Sequence, residues 1–141
     1  MILKELNWLA VAVSALAYFM QGMIWFNPNV FGKAWMEGHK MSAPTDEDKK
    51  RMPMIMIMTL IMCLISVICL AYFIQVLSGY TVNWRWYSGA KIGLICGCGF
   101  SAISVAMSHM YTKKSMMVTV VDSLFHVCGL VISGIILSVW H

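Results

Sequence analysis

The stretch MIMIMTLIMCLISVICLAYFIQVL, residues 54–77, decides the fold class. As an α-helix it would span about 36 Å, enough to cross a hydrocarbon core of about 30 Å. Three further apolar runs are equally suited to crossing a membrane, and the complete set is 6–26, 54–77, 86–110 and 116–140. Because backbone amides cannot stay unpaired in lipid, runs of this length without strict alternation predict helices. We therefore predict an all-α polytopic membrane protein with four transmembrane helices in a compact bundle.

The composition agrees with a membrane protein. Of the 141 residues, 60% are hydrophobic and 11% are charged, which lies outside the range of soluble globular proteins. Almost no chain is left for a soluble part, so residues 1–141 are predicted to form a single membrane domain. No nucleophile elbow, phosphate loop or HExxH pattern is present, so we expect no enzyme, no catalytic residues and no cofactor. Nucleic acid is not an expected partner either.

Basic residues mark one end of the predicted bundle. Loop one, residues 27–53, and the loop before the last helix hold seven of the ten basic side chains: Lys33, Lys40, Lys49, Lys50, Arg51, Lys113 and Lys114. Because cytoplasmic loops carry an excess of lysine and arginine, both loops are predicted to face the cytoplasm and both termini the outside. The positive charge suits anionic headgroups, and the lipid bilayer is the first expected partner.

Loop one contains two helix signals. In NVFGKAWMEGHK, residues 29–40, a short helix would gather an apolar face that consists of Val30, Phe31, Ala34 and Trp35. This face, beside charged side chains, is typical of an interfacial helix at a membrane surface. Further along, Thr45 and Asp48 have the spacing of a capping box, so the second membrane helix is predicted to begin before its apolar run.

A polar stripe runs along the last predicted helix. Its members follow at intervals of three and four residues and share one helical face: Thr119, Asp122, His126, Gly129 and Ser133. An acid within the membrane costs about 2.5–3.5 kcal/mol, so Asp122 normally faces an interior, pairs with another group or changes protonation state. At a spacing of four residues, Asp122 and His126 can also pair with each other. The stripe is therefore predicted to face protein or water.

Several polar groups fall at similar depths in the predicted bundle. Counted from the cytoplasmic edge at 1.5 Å per residue, Asp122 lies about 9 Å in and His126 about 15 Å. Polar residues of the other helices reach comparable depths. This predicts one intramembrane polar cluster, made of Asp122, His126, Gln21, Thr59, Ser104, Ser101 and Tyr18.

Three interpretations of this polar cluster stay open. The favoured one is an interhelical clamp, in which Asp122 and His126 hydrogen-bond to other helices and hold the bundle in register. The second is a protonatable or ion-binding site reached from the cytoplasmic face. A metal site is the least favoured and no metal is predicted, because further ligands would have to come from His109, Cys63 or Cys128.

Small residues recur every four positions on the third predicted helix. Gly89, Gly93 and Gly97 begin the series and Ser101 continues it. Such repeats let two helix backbones approach closely, so the three glycines are predicted to be helix-packing residues. Their partner is either the fourth helix or another subunit.

The segment GMIWFNPNVFGKAWM, residues 22–36, resembles a motif of the domain-of-unknown-function 1761 family, Trp-Tyr-x-Pro-x-x-Phe-Gly-Lys-x-Trp, with Phe26 in place of tyrosine. VDSLFHV, residues 121–127, is similar to the family's Ile-Asp-Ala-Gly-Tyr-His segment, with departures from 123 to 125. The signature positions are Trp25, Pro28, Phe31, Gly32, Lys33, Trp35 and Asp122. The resemblance implies a small bacterial four-helix integral membrane protein, and it implies no activity.

Two functions fit these features. The first is a structural or accessory component that works as a homo-oligomer or as a subunit of a larger membrane complex, because the glycine face needs a partner and no soluble domain exists for catalysis. The second is a carrier or channel for protons or a small ion, with Asp122 as the titrating group and His126 beside it. The bacterial cytoplasmic (inner) membrane is the expected location.

Overall fold

Helices make up most of the structure, a computed structural model that describes residues 4–41, 44–80 and 83–140. The elements are α1 (Trp8–Trp25), a first π-helical segment (Pro28–Gly32), α2 (Lys33–Gly38), α3 (Asp46–Ser78), α4 (Trp86–Cys96), a second π-helical segment (Gly97–Ala102), α5 (Ile103–Tyr111) and α6 (Met116–Val139). No strand occurs in these three ranges. From α4 to α5 the chain forms one continuous helical unit, Trp86–Tyr111.

Four of these elements are long and apolar enough to cross a membrane: α1, α3, the unit from α4 to α5, and α6. They coincide with the four apolar runs of the sequence, so the predicted all-α polytopic fold is confirmed. The largest difference in boundaries is at the start of α3. This helix begins at Asp46, two turns before its apolar run, as the capping signal in loop one predicted.

Side-chain caps set the starts of three spanning helices. The Thr45 hydroxyl accepts from the Asp48 amide while the Asp48 carboxylate accepts from the Thr45 amide, which completes the capping box of α3. Asn7 caps α1 through the Ala10 amide, and Ser115 caps α6 through the Val118 amide. Each cap satisfies an amide that would otherwise lack a partner at the helix end.

The central helix of the bundle is α6, which packs against α1, α3 and α4 and is the most buried of the four spans. Apolar side chains of α1, α3 and α6 itself form one core, which includes Val11, Tyr18, Val67, Ile74, Phe125 and Leu130. The unit from α4 to α5 is the least buried span. Most of its outer surface is therefore left for lipid or another protein.

Three glycines lie directly against α6: Gly89 and Gly93 of α4, and Gly97 at the start of the second π-helical segment. A Cβ atom at Gly89 would overlap Gly134 and the Ser138 hydroxyl, and one at Gly93 would overlap the Leu130 carbonyl. At Gly97, a Cβ atom would press on the backbone of Val127. The sequence left open which helix packs against these glycines, and in the structure it is α6, the last helix of the same chain.

Candidate functional site

Loop one returns to the bundle and packs on the first turn of α6. Gly38 lies against Val118, so closely that a Cβ atom at Gly38 would overlap the Val118 side chain. The ring of Phe31 packs on that of Trp25, with 4.7 Å between ring centroids, and Trp35 packs on Phe26 at 5.2 Å. The short helix predicted for loop one is present, and its aromatic side chains contact the protein. This packing brings the residues after α2 to the face of α6 that carries Asp122.

The carboxylate of Asp122 is held by loop one. Trp35 donates its indole N–H to Oδ1 of Asp122 at 2.7 Å. Both side chains are only partly exposed, and a hydrogen bond to a charged acceptor in such surroundings stabilises by about 1.5–3 kcal/mol. Because Trp35 and Asp122 belong to loop one and α6, this bond fastens the loop to the bundle.

Two imidazoles face the other carboxylate oxygen. Nε2 of His39, at the end of α2, lies 3.5 Å from Oδ2 of Asp122, and Nε2 of His109, on α5, lies at the same distance. The three side chains are between 14% and 17% exposed, so water screens them weakly. Nε2 of His39 is fully buried and has no hydrogen-bond partner among the described residues. Side chains at the end of α2 and on α5 therefore both approach a single atom of α6, Oδ2 of Asp122.

The side chain of His109 lies between α5 and the first turns of α6. Its Nδ1 is 3.1 Å from the Thr119 hydroxyl, which also donates to the Ser115 carbonyl at 3.2 Å. Its Nε2 faces Oδ2 of Asp122 at 3.5 Å. The two ring nitrogens of His109 thus connect α5 to two residues on one face of α6, Thr119 and Asp122.

A second polar set joins α1 to α6 further along the bundle. The Tyr18 hydroxyl and Nδ1 of His126 are 2.6 Å apart. Gln21 donates to the Phe125 carbonyl at 3.2 Å, and Trp25 donates to the Val121 carbonyl at 3.2 Å. These bonds between side chains and a neighbouring helix have the geometry of the interhelical clamp predicted for His126.

The predicted polar cluster separates into distinct groups in the structure. Asp122 meets His39 and His109, whereas His126 meets Tyr18, so the direct pairing considered for Asp122 and His126 does not occur. Tyr18, His126, Ser101 and Ser104 line an open groove of about 350 Å³, beside the second π-helical segment. Thr59 takes no part in either group, because its hydroxyl donates to the Ile55 carbonyl of its own helix.

His39 was not among the residues predicted from the sequence, and His109 was predicted only as a remote alternative ligand. A usable signal was present for His39, because it follows Trp35 by four residues and helical residues at that spacing share a face. Their rings are indeed neighbours, with 4.5 Å between centroids. Of the three additional ligands considered for a metal, Cys63 and Cys128 are free thiols outside the cluster, and His109 belongs to it.

Comparisons with known proteins bear on family membership and leave the role open. The family model described as "Protein of unknown function (DUF1761)" matches residues 9–138, nearly the whole chain. No curated protein and no solved structure matches the chain.

Proposed function

The chain belongs to the DUF1761 family, as its resemblance predicted, and because that family has no known function, we propose a role from the structure. The protein is a structural or accessory integral membrane component that works as a homo-oligomer or as a subunit of a larger membrane complex. It is not an enzyme. It resides in the bacterial cytoplasmic membrane, with loop one and the turn before α6 on the cytoplasmic side, where the basic residues lie.

The main observation behind this proposal is that the first part of α3 is exposed. Every residue from Asp46 to Met58 is exposed, over a helical length of about 20 Å. This segment, the α3 arm, is therefore little covered by the other described parts of the chain. Its first half is charged, and its second half, from Met52 to Met58, is apolar apart from the backbone. Met54 is 69% exposed and Ile57 is 60% exposed.

The residue types of the α3 arm suit a protein partner. Methionine is unbranched and flexible, and it adapts to irregular apolar surfaces better than branched side chains do. Inside the bundle, Asp122 bonds to Trp35 of loop one and His126 bonds to Tyr18 of α1. The bundle is thus held together internally, while the arm offers an adaptable apolar surface for a second chain.

We expect a photoreactive benzoylphenylalanine at Ile57 to form protein adducts when cells that make the protein are illuminated. The matched control is the same substitution at Leu16 of α1, an apolar residue that is 49% exposed. An adduct with the mass of two chains indicates a homo-oligomer, and an adduct with a protein that copurifies at a constant ratio in mild detergent indicates a complex. Protein adducts no more frequent at Ile57 than at Leu16 contradict the proposal.

A second candidate function is the carriage of protons or a small ion. The meeting of Asp122 with two imidazoles at the loop-one end favours it, as does the position of His126 beside an open groove. In proteoliposomes we expect a cation or proton flux that is lost in Asp122→Asn and reduced in His126→Ala. Ser123→Ala, on the same turn of α6, is the control. A flux that is equal in all four proteins rules this function out.

A further inference from the structure

We propose that the open groove beside the second π-helical segment binds a membrane quinone, a planar dicarbonyl ring that carries an apolar chain. The groove has room for such a ring, since its volume of about 350 Å³ falls in the usual range of small-molecule sites, about 300–1,000 Å³. Short π-helical segments inside α-helices are frequent at functional sites. The proposal concerns binding alone, so it holds whether or not the α3 arm has a partner and whether or not ions cross the membrane.

A hydrogen-bond donor is left over in the pair formed by Tyr18 and His126. The Tyr18 hydroxyl and Nδ1 of His126 are 2.6 Å apart, and either atom can donate in the bond between them. If the hydroxyl donates, a ring N–H of His126 is left over, and if Nδ1 donates, the hydroxyl proton is left over. Neither side chain bonds to any further residue that the structure describes. The pair therefore offers a proton to an acceptor in the groove, whichever tautomer the imidazole adopts.

Two serine hydroxyls add donors on another wall of the groove. Ser101, in the second π-helical segment, and Ser104, on α5, both line it. Within the described ranges their hydroxyls have no hydrogen-bond partner, whereas the Ser66 hydroxyl donates to the Met62 carbonyl. Polar groups left unpaired in hydrocarbon are costly, and carbonyl oxygens of a ligand would satisfy these donors. The polar lining of the groove thus suits a ligand rich in carbonyl acceptors.

The depth of the groove selects a neutral ligand. His126 lies about 15 Å along α6 from the start of this helix at Met116, near the middle of a hydrocarbon core of about 30 Å. Phospholipid head groups stay at the membrane surface, and a charged group at this depth is costly. A quinone ring is neutral, carries two carbonyl acceptors and dissolves in hydrocarbon. It can therefore reach donors that a phospholipid head group does not.

An apolar pocket continues the groove along α3. It has a volume of about 150 Å³ and shares Ser66, Phe100 and Ser101 with the groove. The rest of its lining consists of apolar side chains and thiols: Cys69, Leu70, Phe73, Cys96 and Leu130. Phe100 lines both cavities and is 66% exposed, so its ring is open to stacking by a planar ligand. The groove thus receives the quinone ring, and the apolar pocket receives the first part of its chain.

The test uses the full-length protein in phospholipid nanodiscs and an azido derivative of decylubiquinone, which forms covalent adducts when illuminated. We expect mass spectrometry to find adducts at Phe100 and at Ser66, although phospholipid is in large excess. Decylubiquinone is expected to compete these adducts away. Decylbenzene, which has a ring and the chain without carbonyl oxygens, is expected to leave them. Adducts confined to residues outside the two cavities, or equal competition by both compounds, overturn the proposal.

Two substitutions of the same kind test the position of the site. Ser104→Phe places a large ring in the groove, and Ser108→Phe places the same ring one turn further along α5, outside the groove. Both serines are exposed, so neither change disturbs the packed core. We expect the adducts at Phe100 to be lost in Ser104→Phe and to stay at the wild-type level in Ser108→Phe. Equal labelling of the two variants contradicts binding in the groove.

Discussion

Gly93→Val is expected to destabilise the bundle by about 3 kcal/mol, the upper end of what overpacking a close contact costs. A Cβ atom at this position overlaps the carbonyl group of Leu130 and approaches the backbone of Val131. Backbone atoms cannot rotate away as a side chain does, so α4 and α6 must move apart. The change is measured as the free energy of unfolding in mixed micelles, and a lower thermal transition accompanies it.

The matched control for this prediction is Gly99→Val. Gly99 lies in the second π-helical segment, and no atom lies within 4 Å of the position that its Cβ would take. Both variants add the same side chain to the same helical unit, so their difference reports on packing against α6. Equal stability of the two variants would show that α4 does not approach α6 at Gly93.

Asp122→Asn is expected to release loop one from the bundle. The substitution removes the charge that Trp35 contacts at 2.7 Å and that both imidazoles face. A loss of about 2 kcal/mol corresponds to an open population about 30-fold larger, which local proteolysis detects. Lys33 is the first residue of α2 and directly follows the first π-helical segment, so trypsin cleaves after it only when this helical region opens. Cleavage after Lys33 is therefore expected to accelerate by about 30-fold.

Two controls separate local release from general unfolding. Cleavage after Lys49, in the exposed α3 arm, is expected to keep its wild-type rate in the same digest. Ser123→Ala changes the neighbouring residue of α6 and is expected to leave cleavage after Lys33 unchanged. An Asp122→Asn protein that is cut after Lys33 at the wild-type rate contradicts the contact between loop one and α6.

The fold could be predicted because its causes are local in sequence. Apolar length determines which segments cross a membrane, and the pair Thr45 and Asp48 determines where α3 begins. The glycines of α4 indicated a close helix contact for the same reason, because their spacing defines a face. Which helix packs against that face depends on contacts between residues far apart in the sequence, and in the structure that helix is α6.

The site could be predicted only in part, because the depth of a residue in the membrane does not determine which way its side chain points. Counting residues placed Thr59 near the level of Asp122, yet its hydroxyl bonds to its own helix. The rotation of α3 about its own axis determines which way Thr59 points, and the hydropathy of the sequence does not reveal that rotation. The approach of His39 and His109 to Asp122 depends on loop one folding back, which aromatic packing around Trp35 and Phe31 produces.

The junction between loop one and α6 is tested most directly by a double-mutant cycle with Trp35→Phe and Asp122→Asn. Each single variant and the combined variant are unfolded in mixed micelles, and the coupling free energy is obtained from the four values. A charge-assisted hydrogen bond between Nε1 of Trp35 and Oδ1 of Asp122 is expected to give a coupling of about 1.5–3 kcal/mol. A coupling within about 0.5 kcal/mol of zero would mean that the two side chains act independently, which contradicts the docking of loop one on Asp122.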